Sequence, residues 1–167
     1  MTHVVFALGT NIGDRIAHLT YAVQALSQHE GLTVNAVSRV YETKPVGGPE
    51  QDNYLNAIVT AETEIAAPEL LQLCHAIENE RARTREVRWG PRTLDVDLLV
   101  VGDVISDDPV LTLPHPRAHE RGFVLIPWVD IDPLTVIPGH GTVRDCADQV
   151  GSEGVWLSDH QWEQEPA

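Results

Sequence analysis

The chain predicts an α+β fold, a ferredoxin-like sandwich in which helices pack on an antiparallel sheet, with further elements at the C-terminus. Three observations lead there. Segments of period two and period 3.6 follow one another in the order strand, helix, strand, strand, helix, strand up to about residue 101. Two of the strand segments alternate apolar and polar residues, as strands do when their two faces meet different surroundings. The chain has 167 residues, 43% hydrophobic and 22% charged, which is ordinary for one globular domain able to bury a core without a staple.

The elements follow in order. Val4 to Leu8 is a short apolar run ending at Gly9 and reads as a buried strand; it lacks the basic flank, length and cleavage site of a signal peptide. After Gly13-Asp14, apolar residues at Ile12, Ile16, Leu19, Val23 and Leu26 step by fours and threes, which predicts a helix. The intervening Gly9-x-x-x-Gly13 lacks the Gly-Lys-Ser/Thr ending of a phosphate loop and the third glycine of a dinucleotide fingerprint, so it reads as a structural turn. Leu32 to Thr43, rich in Val, Thr and Tyr, is expected as one long strand, and Lys44 to Asp52 is a loop of turn formers.

Tyr54 to Thr63 sets Leu55, Ala57, Val59 and Ala61 on one face and Tyr54, Asn56, Ile58 and Thr60 on the other. Pro68 suits a first helical turn, and Leu70, Leu73, Cys74 and Ile77 continue a buried stripe. Gly102-Asp103 marks a turn, with a short edge segment expected from Val104-Ile105. Pro114-His115-Pro116 is too constrained for a helix interior. Arg117 to Ile131 is expected as a helix with Phe123, Val124, Ile126 and Ile131 on its apolar face, which leaves core packing open for Phe123. A short strand at Thr135 to Ile137 and a last helix at Val143 to Val150 follow. Residues 1–167 read as a single domain whose end, from about 155 to 167, is expected to be a frayed acidic tail, Trp156 being the residue able to dock.

A net charge of -14 argues against a general nucleic-acid surface, which needs a broad basic face. No stretch approaches the 18 or so apolar residues of a membrane span, so the expected location is the cytoplasm. Cys74 and Cys146 both fall in helical patterns and read as small buried thiols.

The chemistry concentrates in Arg88 to Val101. Leu94, Val96, Leu98 and Val100 share one face of a strand, which sets Asp95 and Asp97 together on the other, roughly 7 Å apart. Side chains leaning toward each other can hold two hard cations about 3.5 to 4 Å apart. Ligands that are all oxygen suit Mg²⁺, which takes its remaining ligands from water and substrate phosphates. An Asp-x-Asp pair is also what a solvated sheet face looks like. Five of the 11 Lys and Arg residues (Arg81, Arg83, Arg85, Arg88 and Arg92) nevertheless lie in the 12 positions from 81 to 92, and guanidinium forks match a polyphosphate. His115 and His119 are spaced as a helical zinc pair, but Pro116 and the lack of further ligands speak against it.

The run Arg88-Trp89-Gly90-Pro91-Arg92-Thr93-Leu94-Asp95-Val96-Asp97 resembles the signature of the 6-hydroxymethyl-7,8-dihydropterin pyrophosphokinase family of folate biosynthesis. Supporting pieces lie in the family's order: Ala7 to Arg15, Tyr41 to Gly47, Asp52 to Asn56, Leu113 to Arg117 and Glu120 to Leu125. The resemblance covers roughly the first 140 residues and departs from the family where Arg81-Ala82 replaces its common Leu-Gly.

It implies transfer of pyrophosphate from ATP to the hydroxymethyl group of the pterin, releasing AMP, with two Mg²⁺ ions held by Asp95 and Asp97. Arg83 and Arg92 would join these acids in catalysis. Arg83, Arg85, Arg88, Trp89, Arg92, Leu98, His115 and Arg121 would bind ATP. Thr43, Lys44, Pro45, Val46, Tyr54, Asn56, Trp89 and Phe123 would bind the pterin, Tyr54 and Phe123 by stacking. The expected partners are ATP and the pterin, with no nucleic acid and no membrane, for a monomer acting beside other folate-pathway enzymes. The alternatives from other classes are a ferredoxin-like sensor that binds a nucleotide without turnover and, behind it, an RNA-binding module.

Overall fold

The computed structural model describes residues 1–44, 53–82 and 94–162. The sequence expectations for Pro45 and Val46, for Arg83, Arg85, Arg88, Trp89 and Arg92, and for residues 163–167 lie outside the described residues.

In chain order the elements are β1 (Thr2–Thr10), α1 (Arg15–Gln28), β2 (Leu32–Val37), β3 (Tyr41–Thr43), β4 (Tyr54–Thr63), α2 (Ala67–Ala82) and β5 (Asp95–Val101). Then come β6 (Ser106–Asp107), β7 (Thr112–Leu113), a 3-10 turn (Ala118–Glu120), α3 (Gly122–Ile131), β8 (Val136–Ile137), β9 (Gly141–Thr142), α4 (Val143–Val150) and β10 (Val155–Leu157). The main sheet runs β10-β3-β4-β1-β5, and β2 also pairs with β4. Every pairing is antiparallel. The order β2-β4-β1-β5, with α1 and α2 as crossovers, is the ferredoxin-like arrangement the sequence predicts.

Both faces of the sheet are covered. On one, Leu19, Val23 and Leu26 of α1 and Leu70, Cys74 and Ile77 of α2 pack on Val4, Phe6, Leu8, Val96 and Leu98. On the other, Val124, Leu125 and Trp128 of α3 and Val143, Cys146 and Ala147 of α4 pack on Val5, Ala7, Ile58, Leu99 and Val100. Both cysteines are free and buried, as expected. No helix among the described residues is long and apolar enough to cross a membrane.

The structure corrects five local expectations. The single strand from 32 to 43 is two strands laid end to end along β4. At the break the Ser38 hydroxyl accepts from Ile58 N–H at 2.8 Å, and the backbone of Val40 is held by the Gln161 side chain. In β5 the alternation fails after Leu98, because the register with β1 shifts between Val5 and Phe6. Leu99 is the extra residue of this bulge, so Val100 joins the α3/α4 core instead of following Leu98. The strand expected at Val104-Ile105 lies two residues later, at Ser106–Asp107, pairing with Thr112–Leu113. The helix expected from Arg117 begins only at Gly122, after the 3-10 turn.

The fifth correction concerns the C-terminus, which is tied down as far as Trp162. Val155–Leu157 pairs with β3, Ser158 Oγ donates to Glu42 Oε1 at 2.8 Å, and Trp162 Nε1 donates to Ser38 O at 3.0 Å.

At the end of α3, Asp132 accepts from His3 Nε2 at 2.9 Å, Trp128 Nε1 at 2.9 Å and Thr135 Oγ1 at 2.7 Å. The hydrogen bond to Asp132 raises the His3 pKa against the opposing effect of burial. Burial pushes Asp132 up, but its hydrogen bonds, led by that from His3, outweigh burial and hold it below the ordinary value. The contribution of His3 is therefore full below its unfolded pKa of about 6.5 and is lost as pH rises through the raised folded value. That of Asp132 is present above its unfolded pKa of about 3.9 and is lost as pH falls through the lowered one. Replacing His3 with Ala should thus lower the melting temperature more at pH 5.5 than at pH 9, by an amount corresponding to about 1 kcal/mol or less given the partial exposure. Thermal melts of both proteins at the two pH values check this; equal losses would show that the pair carries no charge-dependent stability.

Candidate active site

The cleft follows from the register of the sheet. Asp97 pairs with Ala7, Asp95 with Gly9, and Gly9 on its other side with Asn56. These residues share the sheet face that α3 and α4 cover further along, so the same face is core at one end and open floor at the other. Ala7 and Gly9 leave little side chain between the acids and the amide; a Cβ on Gly9 would stand 3.5 Å from Asn56 Oδ1. The resulting cleft has a volume of about 1060 Å³. Thr43, Lys44 and Tyr54 line it beside Asn56, the start of α3 contributes Arg121, Gly122 and Phe123, and residues of the stretch from Val150 to Trp156 form a further wall.

Hydrogen bonds brace the strands that carry the floor. Glu78 of α2 accepts from Val96 N–H at 2.8 Å, which pins β5 between its two acids. Asn56 donates from Nδ2 to Thr43 Oγ1 at 3.2 Å, fixing the plane of its amide. Glu42 accepts from Asn53 Nδ2 and Ser158 Oγ, each at 2.8 Å, while Arg15 donates to Asn53 O at 2.8 Å. This network anchors the chain just before Tyr54.

The turn before α3 is equally constrained. His115 N–H donates to Leu99 O at 2.8 Å, and His115 Nδ1 accepts from Arg117 N–H at 3.2 Å, which places the proton of the neutral ring on Nε2. Burial lowers the His115 pKa; Asp97 opposes the shift, and Arg121 and Arg117 add to it. Phe123, for which core packing was open, is 37% exposed and lines the cleft, because Val124, Leu125 and Trp128 supply the buried face of α3. The Arg121 guanidinium lies 5.6 Å from the centre of its ring.

Of the described candidates, the cleft therefore gathers Asp95, Asp97, Thr43, Lys44, Tyr54, Asn56, Arg121 and Phe123, with His115 near enough to feel the charge of Asp97. It does not gather the Leu98 side chain. Leu98 is 5% exposed and packs in the α1/α2 core, since alternation along β5 turns it away from the acids. The ATP contact that the resemblance implies for Leu98 is not available to this side chain from the cleft. Arg81, at the departure from the family pattern, donates from Nε to His18 Nδ1 at 3.0 Å and lies over the Tyr21 ring, tying α2 to α1.

His119 is not paired with His115 but stacked on His140, with ring centroids 3.6 Å apart. Among the described residues no group of three or more His, Cys, Asp or Glu side chains is placed to hold a metal. The Asp95/Asp97 pair, both half-buried on the cleft floor, is a two-carboxylate donor set that fits Mg²⁺ completed by water and phosphate oxygens.

Sequence reasoning missed Arg117 and the C-terminal wall. The wall closes on α3 through Gly122, where a Cβ would stand 3.3 Å from Gly151 O and 3.4 Å from Val155 Cγ2. Gly151 and Gly154, with φ of 82° and 78°, were its sequence signal, since two glycines three apart after a helix mark a turning chain. Placing Leu98 in the core carries a test: Leu98→Ala should cost about 2 to 5 kcal/mol in urea unfolding. A stable variant with weakened nucleotide binding would return Leu98 to the cleft.

The family model described as 7,8-dihydro-6-hydroxymethylpterin-pyrophosphokinase (HPPK) matches residues 5–133. A Bacillus subtilis protein named 2-amino-4-hydroxy-6-hydroxymethyldihydropteridine pyrophosphokinase is 50% identical over 125 residues, 75% of each chain. One of the same name from Methylorubrum extorquens is 42% identical over 155 residues, 93% of this chain and 98% of that one. Among solved structures, wild-type Plasmodium falciparum HPPK-DHPS matches with a TM-score of 0.66 at 14% identity, covering 89% of this chain and 41% of that one. The chain thus spans less than half of that longer protein, and at this identity the likeness supports the fold alone.

Proposed function

The chain belongs to the 7,8-dihydro-6-hydroxymethylpterin-pyrophosphokinase family, and from that premise we propose that it transfers pyrophosphate from ATP to 6-hydroxymethyl-7,8-dihydropterin in folate biosynthesis. The substrate hydroxyl oxygen attacks the β-phosphorus, the bond from that phosphorus to the α,β-bridging oxygen breaks, and AMP leaves as the hydroxyl proton is lost. The observation that carries the proposal is that one cleft brings two carboxylates of β5 together with Asn56 on its floor and the Phe123 ring in its lining.

Asp95 and Asp97 would hold two magnesium ions. When bound, these supply neutralisation of phosphate charge and acidification of the substrate hydroxyl. Tyr54 and Phe123 hold the flat heterocycle between rings, and the Asn56 amide, oriented by Thr43, reads its edge with a donor and an acceptor. Arg121 and the Nε2–H of His115 position the phosphates. Catalysis is then chiefly alignment and electrostatics. Arg83, Arg85, Arg88, Trp89 and Arg92 are assigned to ATP, with Arg83 and Arg92 also catalytic and Trp89 shared with the pterin. Lys44, Pro45 and Val46 are assigned to the pterin edge. The enzyme is assigned to the cytoplasm, as a monomer neighbouring other folate-pathway enzymes.

Measurement of AMP from ATP and Mg²⁺, with and without the pterin, tests the reaction. Pterin-dependent AMP is expected, and Asp97→Asn should reduce it by about 10²-fold or more without unfolding the protein. A folded wild type that binds ATP but yields no AMP would favour a nucleotide sensor. Phe123→Ala should weaken pterin binding by about 10-fold while leaving ATP affinity and the melting temperature nearly unchanged, as expected for an exposed stacking ring. A large drop in stability would instead assign Phe123 to the core.

A further inference from the structure

Among the described cations that line the cleft, Lys44 and Arg121 have assigned roles and Arg117 has none. Its place is fixed by the backbone. The turn hangs on β5, the strand of the acid pair, through His115 N–H to Leu99 O at 2.8 Å. From there Arg117 N–H donates to His115 Nδ1 at 3.2 Å, Ala118 N–H to His115 O at 3.2 Å, and Glu120 N–H to Arg117 O at 3.1 Å. The Arg117 side chain therefore springs from a braced 3-10 turn, and it lines the same cleft as Asp95, Asp97 and Arg121.

Among the described residues its charge has no structural partner. The chain carries 25 acidic against 11 basic residues, so a surface arginine has carboxylates in abundance. Arg39, for comparison, is paired with Asp130 at 3.0 Å. Among the described residues no carboxylate lies within ion-pair distance of Arg117, and neither a ring nor a carbonyl occupies its guanidinium. The cleft also departs from the overall charge: Lys44, Arg117 and Arg121 line it against Asp95, Asp97 and Glu153, an even balance in a chain of net charge -14. Keeping an uncompensated guanidinium beside the acid pair fits an anionic ligand with several oxygens, because the fork binds two of them at once.

We propose that Arg117 binds phosphate in this cleft, gripping the β- and γ-phosphates of the nucleoside triphosphate and, after transfer, the diphosphate of the product. This rests on the pyrophosphoryl-transfer function proposed above. Arg121 is held at the Phe123 ring, so Arg117 supplies a second fork from the same turn, four residues earlier.

The test is calorimetric binding of two probes, AMP and an ATP analogue with a methylene group between the α- and β-phosphorus, to wild type, Arg117→Ala and Arg117→Lys in the presence of Mg²⁺. Arg117→Ala should weaken the analogue about 10- to 100-fold and AMP less than about 2-fold, with Arg117→Lys recovering part of the loss. The exposed position predicts unchanged melting temperatures. Unaltered analogue affinity in folded Arg117→Ala would overturn the proposal, as would equal weakening of both probes. Pterin-dependent AMP from wild type is measured in parallel. If it appears and the variant binds the analogue normally, only the role of Arg117 falls; if it is absent, the proposed reaction falls while the comparison of the two probes still decides whether Arg117 holds the terminal phosphates.

Discussion

β1 runs between β4 and β5, and its pairing with β5 sets Ala7 beside Asp97 and Gly9 beside Asp95. A slip of one residue would turn both acids into the α1/α2 core and bring Val96 and Leu98 onto the open floor. Two features hold the register against that slip. Glu78 caps the Val96 N–H that β5 offers at the sheet edge. The bulge at Leu99 lets Leu98 and Val101 serve one core while Leu99 and Val100 serve the other, so the far end of β5 is buried on both faces. The acids stay aligned because the apolar end of their strand has no alternative packing.

The open floor, in turn, exists because α3 starts late. Had the helix begun at Arg117, its first turn would have extended over the sheet. Instead the chain passes through a 3-10 turn and enters the helix at Gly122, where the absence of a Cβ admits Gly151 O and Val155. The core demand on α3 is met by Val124, Leu125 and Trp128, which leaves Phe123 a ring facing the cleft. The C-terminal stretch, fastened through β10, Ser158, Gln161 and Trp162, then closes a side that the four-stranded ferredoxin-like unit would leave open.

Periodicity made the framework legible. The alternation around Asp95 and Asp97, the helical stripe of Leu70, Cys74 and Ile77, and the two faces of β4 are direct consequences of 2.0 and 3.6 residue repeats. What was not legible depends on partners distant in sequence. The break at Ser38 is stabilised by Ile58 and Gln161, and the docking of the tail by Glu42 and Ser38. The bulge in β5 is a compromise between two cores that a single strand pattern does not contain. Arg81 shows the converse limit: in a run of arginines it looks like its neighbours, yet its Nε is committed to His18 and its charge to the Tyr21 ring. Composition placed positive charge near the acid pair, and only the fold shows that Arg81 braces a helix.

The proposed metal chemistry has a consequence for how the cleft fills. Two carboxylates supply at most a minority of the oxygens around two magnesium ions, and no third acidic, histidine or cysteine ligand joins them among the described residues. The remaining coordination must come from water and from phosphate, so the cations and the triphosphate each complete the site for the other. A floor of Ala7 and Gly9 suits that arrangement, because it leaves room above the carboxylates for hydrated ions rather than filling the space with protein ligands. Under that proposal the acid pair would contribute position more than affinity, with the arginines assigned to ATP carrying the nucleotide's remaining charge. An acidic protein would in this way hold an anionic substrate without a basic surface: among the described residues Lys44, Arg117 and Arg121 balance Asp95, Asp97 and Glu153 in the cleft, while the excess negative charge lies elsewhere.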